Sequence, residues 1–147
     1  MFKWPVLIAV FCVLILGFCK KNSSGNLRYF EVGLNNSSTD WRDTSFIVAT
    51  SNTALLTEID AQLQLPAAQR KKIVIGALLK GSGGYNRNAG HQFQWHFKED
   101  DWQLADLSIE IYDGRPHNDV DTDLDYWLHT VKRFSPWSSY IKREIVQ

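Results

Sequence analysis

Apolar and polar positions alternate along residues 27–34, with Phe30, Val32 and Leu34 on one side and Tyr29, Glu31 and Gly33 on the other. That period of two predicts a strand. A turn cluster, Asn35-Asn36-Ser37-Ser38-Thr39-Asp40, precedes the β-branched apolar run 45–50, a second strand close enough for a hairpin. Ser51-Asn52-Thr53 supplies helix-capping side chains, and Leu55, Leu56, Ile59 and Leu63 recur at helical spacing. Pro66 opens a short turn ending in Arg70-Lys71-Lys72. Residues 73–79 are apolar on both faces, the pattern of a central strand.

Residues 80–90 form a Gly/Asn-rich loop around Tyr85-Asn86, the longest irregular stretch of the domain and a candidate functional loop. Residues 92–97 alternate strictly, Phe93, Trp95 and Phe97 against Gln92, Gln94 and His96. Residues 98–102 are charged and turn-like. Leu107, Ile109 and Ile111 alternate with Ser108, Glu110 and Tyr112, which predicts a further strand. Val120, Leu124, Trp127, Leu128 and Val131 make one helix face that Pro136 ends, and residues 137–146 read as a short final helix. The order β-β-α-β-β-β-α-α predicts an α+β fold over residues 27–147. Its expected form is one mainly antiparallel five-stranded sheet with helices on one face.

The first residues carry a different pattern. Lys3 precedes an uncharged, mostly apolar run over 4–18. That run is shorter than the ~20 residues a spanning helix needs and fits the apolar region of a signal peptide. It ends Leu16-Gly17-Phe18-Cys19-Lys20-Lys21, which resembles a bacterial lipoprotein signal with Cys19 as the lipidated residue. Phe18 departs from the small residue expected before that cysteine. Residues 1–18 are then a signal peptide and 19–26 a polar tether, which predicts an exported protein anchored to a membrane through its lipid.

Composition narrows the classes. Lys and Arg total 16, as do Asp and Glu, so no global basic field points to nucleic acid. Both cysteines, Cys12 and Cys19, precede the domain, which therefore has no internal disulfide, thiolate metal site or cysteine nucleophile.

Five pieces carry a family resemblance: IVIGALLKGSGGYN (73–86), FQWHF (93–97), IEIYDGRP (109–116), DLDYW (123–127) and FSPWSS (134–139). In order and spacing they resemble the N-terminal domain family named for an amoebal calmodulin-binding protein. The resemblance implies a binding or interaction module and no enzyme mechanism. It also implies a pair of cysteines where this chain has Tyr112 and Ser135, a staple worth about 2–4 kcal/mol that is lost here. Calmodulin itself is not carried over, since a bacterial lipoprotein would not normally meet it.

Candidate chemistry is sparse. His96 and Glu110 sit on polar strand faces with Gln94, Ser108 and Tyr112, and paired they are the minimal parts of a general base. A small hydrolase with His96 as base and Glu110 as orienter is one alternative, although no Gly-x-Ser-x-Gly elbow and no His-x-x-x-His spacing accompanies it. Asp113, Asp119, Asp121 and Asp123 suggest a calcium-dependent adhesive domain as another. Counted from Asp119, however, Leu124 and Thr130 occupy the glycine and bidentate-glutamate positions of a calcium loop. An acidic helix start capped by Asn118 or Asp119 accounts for the same residues. Gly81-Ser82-Gly83-Gly84 lacks the ending of a phosphate loop and reads as a turn. The basic, aromatic segment Trp127, Lys132, Arg133, Trp137, Lys142 and Arg143 reads as core tryptophans with a solvated cationic face. The expected function is a tethered interaction module with a possible protein partner, in which Tyr85, Asn86, His96, Glu110 and Asp113 bind the ligand. No catalytic residue, metal or cofactor is assigned.

Overall fold

A computed structural model of the chain describes residues 25–109 and 112–146. The signal segment, Cys19, most of the tether and Glu110 lie outside the described residues. Strands β1 (Arg28–Leu34) and β2 (Ser45–Thr50) form the expected antiparallel hairpin, with Phe30 opposite Val48 and Val32 opposite Phe46. Helix α1 (Thr53–Gln64) starts at Asn52, whose side chain accepts from the Leu55 N–H, and buries Leu55 and Ile59. Strand β3 (Ile73–Lys80) is central in its sheet, as its apolar faces require. A two-residue ribbon follows, β4 (Arg87–Asn88) with β5 (His91–Gln92), and then the long strand β6 (Trp95–Ala105).

The single five-stranded sheet is not what forms. Two three-stranded antiparallel sheets, in the orders β2-β1-β8 and β6-β3-β7, enclose one core, with the β4–β5 ribbon beside them. Strands β7 (Arg133–Phe134) and β8 (Ser139–Ile145) stand where the pattern predicted the end of one helix and the whole of another. The reason is a bulge. Glu31 pairs with Arg143 and Val32 with Ile141, so Lys142 is the extra residue. The bulge sets Ile141 opposite Val32 on the core side and Ile145 opposite Tyr29 on the other side, so the run lacks the plain alternation of a strand.

A second bulge explains the turn-like charges. Leu78 pairs with Phe97 and Gly76 with Trp102, so residues 98–101 of β6 stand opposite the single residue Ala77. Residues 107–109, expected in a strand, carry no regular structure. The expected helix along 120–131 is three short pieces: a wide π-type turn at Pro116–Asp121, α2 (Leu124–Tyr126) and a second wide turn at Trp127–Val131. Lys132 ends it in the left-handed region at φ 67°.

The core is strongly aromatic. Phe46 from one sheet lies 5.3–5.9 Å, ring to ring, from Trp95, Phe97 and Phe134 of the other. Where the edges of β2 and β6 approach, side chains complete the hydrogen bonding. Asn86 Oδ1 accepts from Ile47 N–H (2.9 Å), and Asn86 Nδ2 donates to Trp95 O (2.8 Å). Trp102 Nε1 donates to Ala49 O (2.8 Å). At the other end Arg28 ties β1 to α1 and β8 through Asp60 and Glu144.

Candidate functional site

The loop at 80–90 was expected to bind the ligand through Tyr85 and Asn86. Both are buried. Asn86 is fully enclosed and both atoms of its amide serve the β2–β6 seam. The Tyr85 hydroxyl has two acceptors for its proton, Phe97 O at 3.2 Å and Glu99 Oε1 at 3.1 Å. Burial first, and then the Glu99 carboxylate, push that hydroxyl well above the ordinary tyrosine range, so it stays protonated. His96 packs edge-on against Tyr85. Its Nδ1 lies 2.7 Å from Gly81 O and its Nε2 3.7 Å from Glu99 Oε1. The carboxylate beside His96 among the described residues is thus Glu99.

The acidic run disperses. Asp113 pairs with Arg115 at 3.3 Å, and Asp119 accepts from the Arg115 N–H at 2.9 Å. Asn118 turns its side chain to Asp43. The turn Pro116–Asp121 is capped from a distant loop instead. Asp43, fully buried, accepts from the N–H groups of His117 (2.8 Å) and Asn118 (3.0 Å), and its other oxygen takes Ser38 and Asn118 side chains. A carboxylate placed on those free N–H groups satisfies them and opposes the positive helix end. Pro116 in the first position presets the backbone there.

That cap draws three segments to one end of the molecule: the loop between β1 and β2, the β4–β5 ribbon, and the turn at 116–121. Asp40 organises the first, capping the 3-10 turn Trp41–Asp43 and pairing with Arg42, whose side chain holds the Asp40 carboxyl well below its usual range. Asn88 donates to Trp41 O and joins loop to ribbon. Within this pole His117 and Asp121 project together, being four apart on one turn. His91 reaches in from β5. Asp121 Oδ2 lies 2.8 Å from His91 Nε2 and 3.2 Å from His117 Nδ1, while Oδ1 accepts from the Gln94 N–H at 2.8 Å. The Trp41 ring stands 6.5 Å from His91 and is 50% exposed. Asp121 was expected only as part of a calcium run, and His91 and His117 were not singled out. The i, i+4 spacing of His117 and Asp121 was the available signal.

The cysteine pair implied by the resemblance has a visible counterpart. Tyr112 and Ser135 line one small cavity of about 50 Å³ with Trp127 and Phe134. Tyr112 packs 4.8 Å from the Trp127 ring and donates to the Tyr126 hydroxyl, and Ser135 is hydrogen-bonded to Ser108.

Two antiparallel three-stranded sheets around an aromatic core, with short helices, make an α+β domain. The chain belongs to the N-terminal domain family named for an amoebal calmodulin-binding protein, the BP-74 N-terminal domain, whose family model matches residues 27–147. No curated protein and no solved structure matches it. Among the described residues no helix is long and apolar enough to cross a membrane.

Proposed function

We propose that this protein is a membrane-tethered, extracytoplasmic interaction module that presents the Trp41–Asn88–His91–His117 pole to a protein partner. One observation carries the reading. β1 runs from Arg28, next to the tether, to Leu34, which leads into the pole. Seven extended residues separate the two ends by roughly 20 Å. A chain lipidated at Cys19 therefore holds the pole away from the membrane. The pole also carries what recognition surfaces use: a half-exposed tryptophan beside polar groups that the fold fixes in place.

Lipidation of Cys19 predicts that the protein fractionates with membranes and that Cys19→Ser releases it. In-cell cross-linking should capture a specific partner with the wild-type chain, and Trp41→Ser should weaken that capture at least tenfold with the melting temperature kept. Undiminished capture by Trp41→Ser would refute the pole as the contact surface.

A further inference from the structure

We propose that His91, His117 and Asp121 form a divalent transition-metal site of the zinc type, with one coordination position open to solvent. Their ligand atoms all lie within 4.8 Å of one another. An ion with bonds of roughly 2.0–2.1 Å to each holds tetrahedral ligand atoms about 3.3 Å apart. The separations from Asp121 Oδ2, 2.8 Å and 3.2 Å, are within about half an ångström of that value, and the two histidine nitrogens, within 4.8 Å of each other, would close by up to about 1.5 Å through rotation of the partly exposed rings. Two imidazoles and one carboxylate oxygen are a donor set suited to zinc, copper, nickel or cobalt and poor for calcium or magnesium.

The surroundings are built for the role. The Asp121 side chain is 2% exposed, and its other oxygen is anchored by the Gln94 N–H, so Oδ2 is fixed toward both rings. The cap from Asp43 fixes the backbone of His117, and the ribbon pairing Asn88 with His91 fixes the third ligand. Metal-free, both ring nitrogens face Asp121 Oδ2 at hydrogen-bond distance. A metal would take the lone pair of each facing nitrogen, in the tautomer whose proton sits on the ring's other nitrogen. The side chains of His91 and His117 are 21% and 13% exposed, so the open position lies on the solvent side, next to Trp41. A fourth ligand there is a water or a side chain of the partner, which deepens the interaction reading and rests on it for the partner's share alone.

The test uses the full chain in detergent, with Cys12→Ser and Cys19→Ser to remove competing thiols, stripped by chelator and titrated with zinc chloride. One equivalent should bind and raise the melting temperature by mass action, and calcium chloride should not. Cobalt should give the visible absorption of a four-coordinate ion. His91→Gln, a change in the solvent-facing ribbon, should weaken zinc binding on the order of 100-fold and abolish that spectrum. His117→Gln should do the same. No zinc-dependent shift in the thiol-free parent, or equal binding by that parent and its His91→Gln form, would overturn the site. Zinc binding without any effect of Trp41→Ser on capture would leave the site standing and sink the interaction pole; the reverse pattern would sink the site alone.

Discussion

Asn86 shows how a single side chain can look functional and be structural. It sits in a Gly-rich loop beside a tyrosine, where ligand contacts concentrate. Yet its amide satisfies one backbone group on each of two strand edges, and it is fully buried. Asn86→Ala strands a buried N–H and a buried C=O. The expected loss is about 2–4 kcal/mol, read by chemical denaturation. Glu31 makes a different case. Burial pushes its carboxyl up, and the hydrogen bonds from Lys142 and Arg143 more than reverse this, leaving it below its ordinary value of 4.5. An acid whose pKa is depressed by folding stabilises the fold above that ordinary value and stops doing so as pH falls through the depressed one. Wild-type stability should therefore fall into acid. Glu31→Gln should flatten that limb and cost about 1 kcal/mol at neutral pH, since both cations are partly solvated.

Among the elements, the hairpin and α1 were legible because each is a single uninterrupted period, and β3 because an apolar run on both faces marks a central strand. The bulged strands were not. In β8 the extra residue Lys142 breaks the alternation, and it also turns Lys142 and Arg143 to the same side, where both reach Glu31. A strand that changes faces at a bulge shows no period of two, and only pairing with β1 reveals it as a strand. The charges at 98–101 read as a turn because they leave the β3 register, although the strand continues through them. Gly76 lies at that irregularity, and a Cβ there would come within 2.4 Å of the Phe97 ring. Gly76→Ala should cost about 1–3 kcal/mol by forcing that ring out of the core, measured by thermal melting. Gly90→Ala, which meets nothing within 4 Å, should melt like the wild type.

At the scale of the whole molecule, the family was legible from five short pieces and the candidate metal cluster was not. His91 lies far from His117 and Asp121 in sequence, and their meeting depends on Asp43, a residue of a third segment whose role as a cap has no local signature. Spacing rules find ligands that share a helix or a turn. They do not find a site assembled by a tertiary cap. The same long-range closure orders the molecule along β1, with the Arg28 clamp to Asp60 and Glu144 at one end and the pole at the other.

The seam between β2 and β6 has a consequence for encounters between copies of the chain. β2 is the outer strand of its sheet, and a bare outer strand invites a neighbouring copy to add its own strand. Here Asn86 and Trp102 occupy the groups such a copy would use, the Ile47 N–H and the Ala49 carbonyl. The lipid anchoring proposed above would confine molecules to two dimensions and raise their local concentration. Under that crowding these two side chains keep neighbours apart, and a chain stripped of them would meet its copies with an open edge and assemble into strand-joined oligomers.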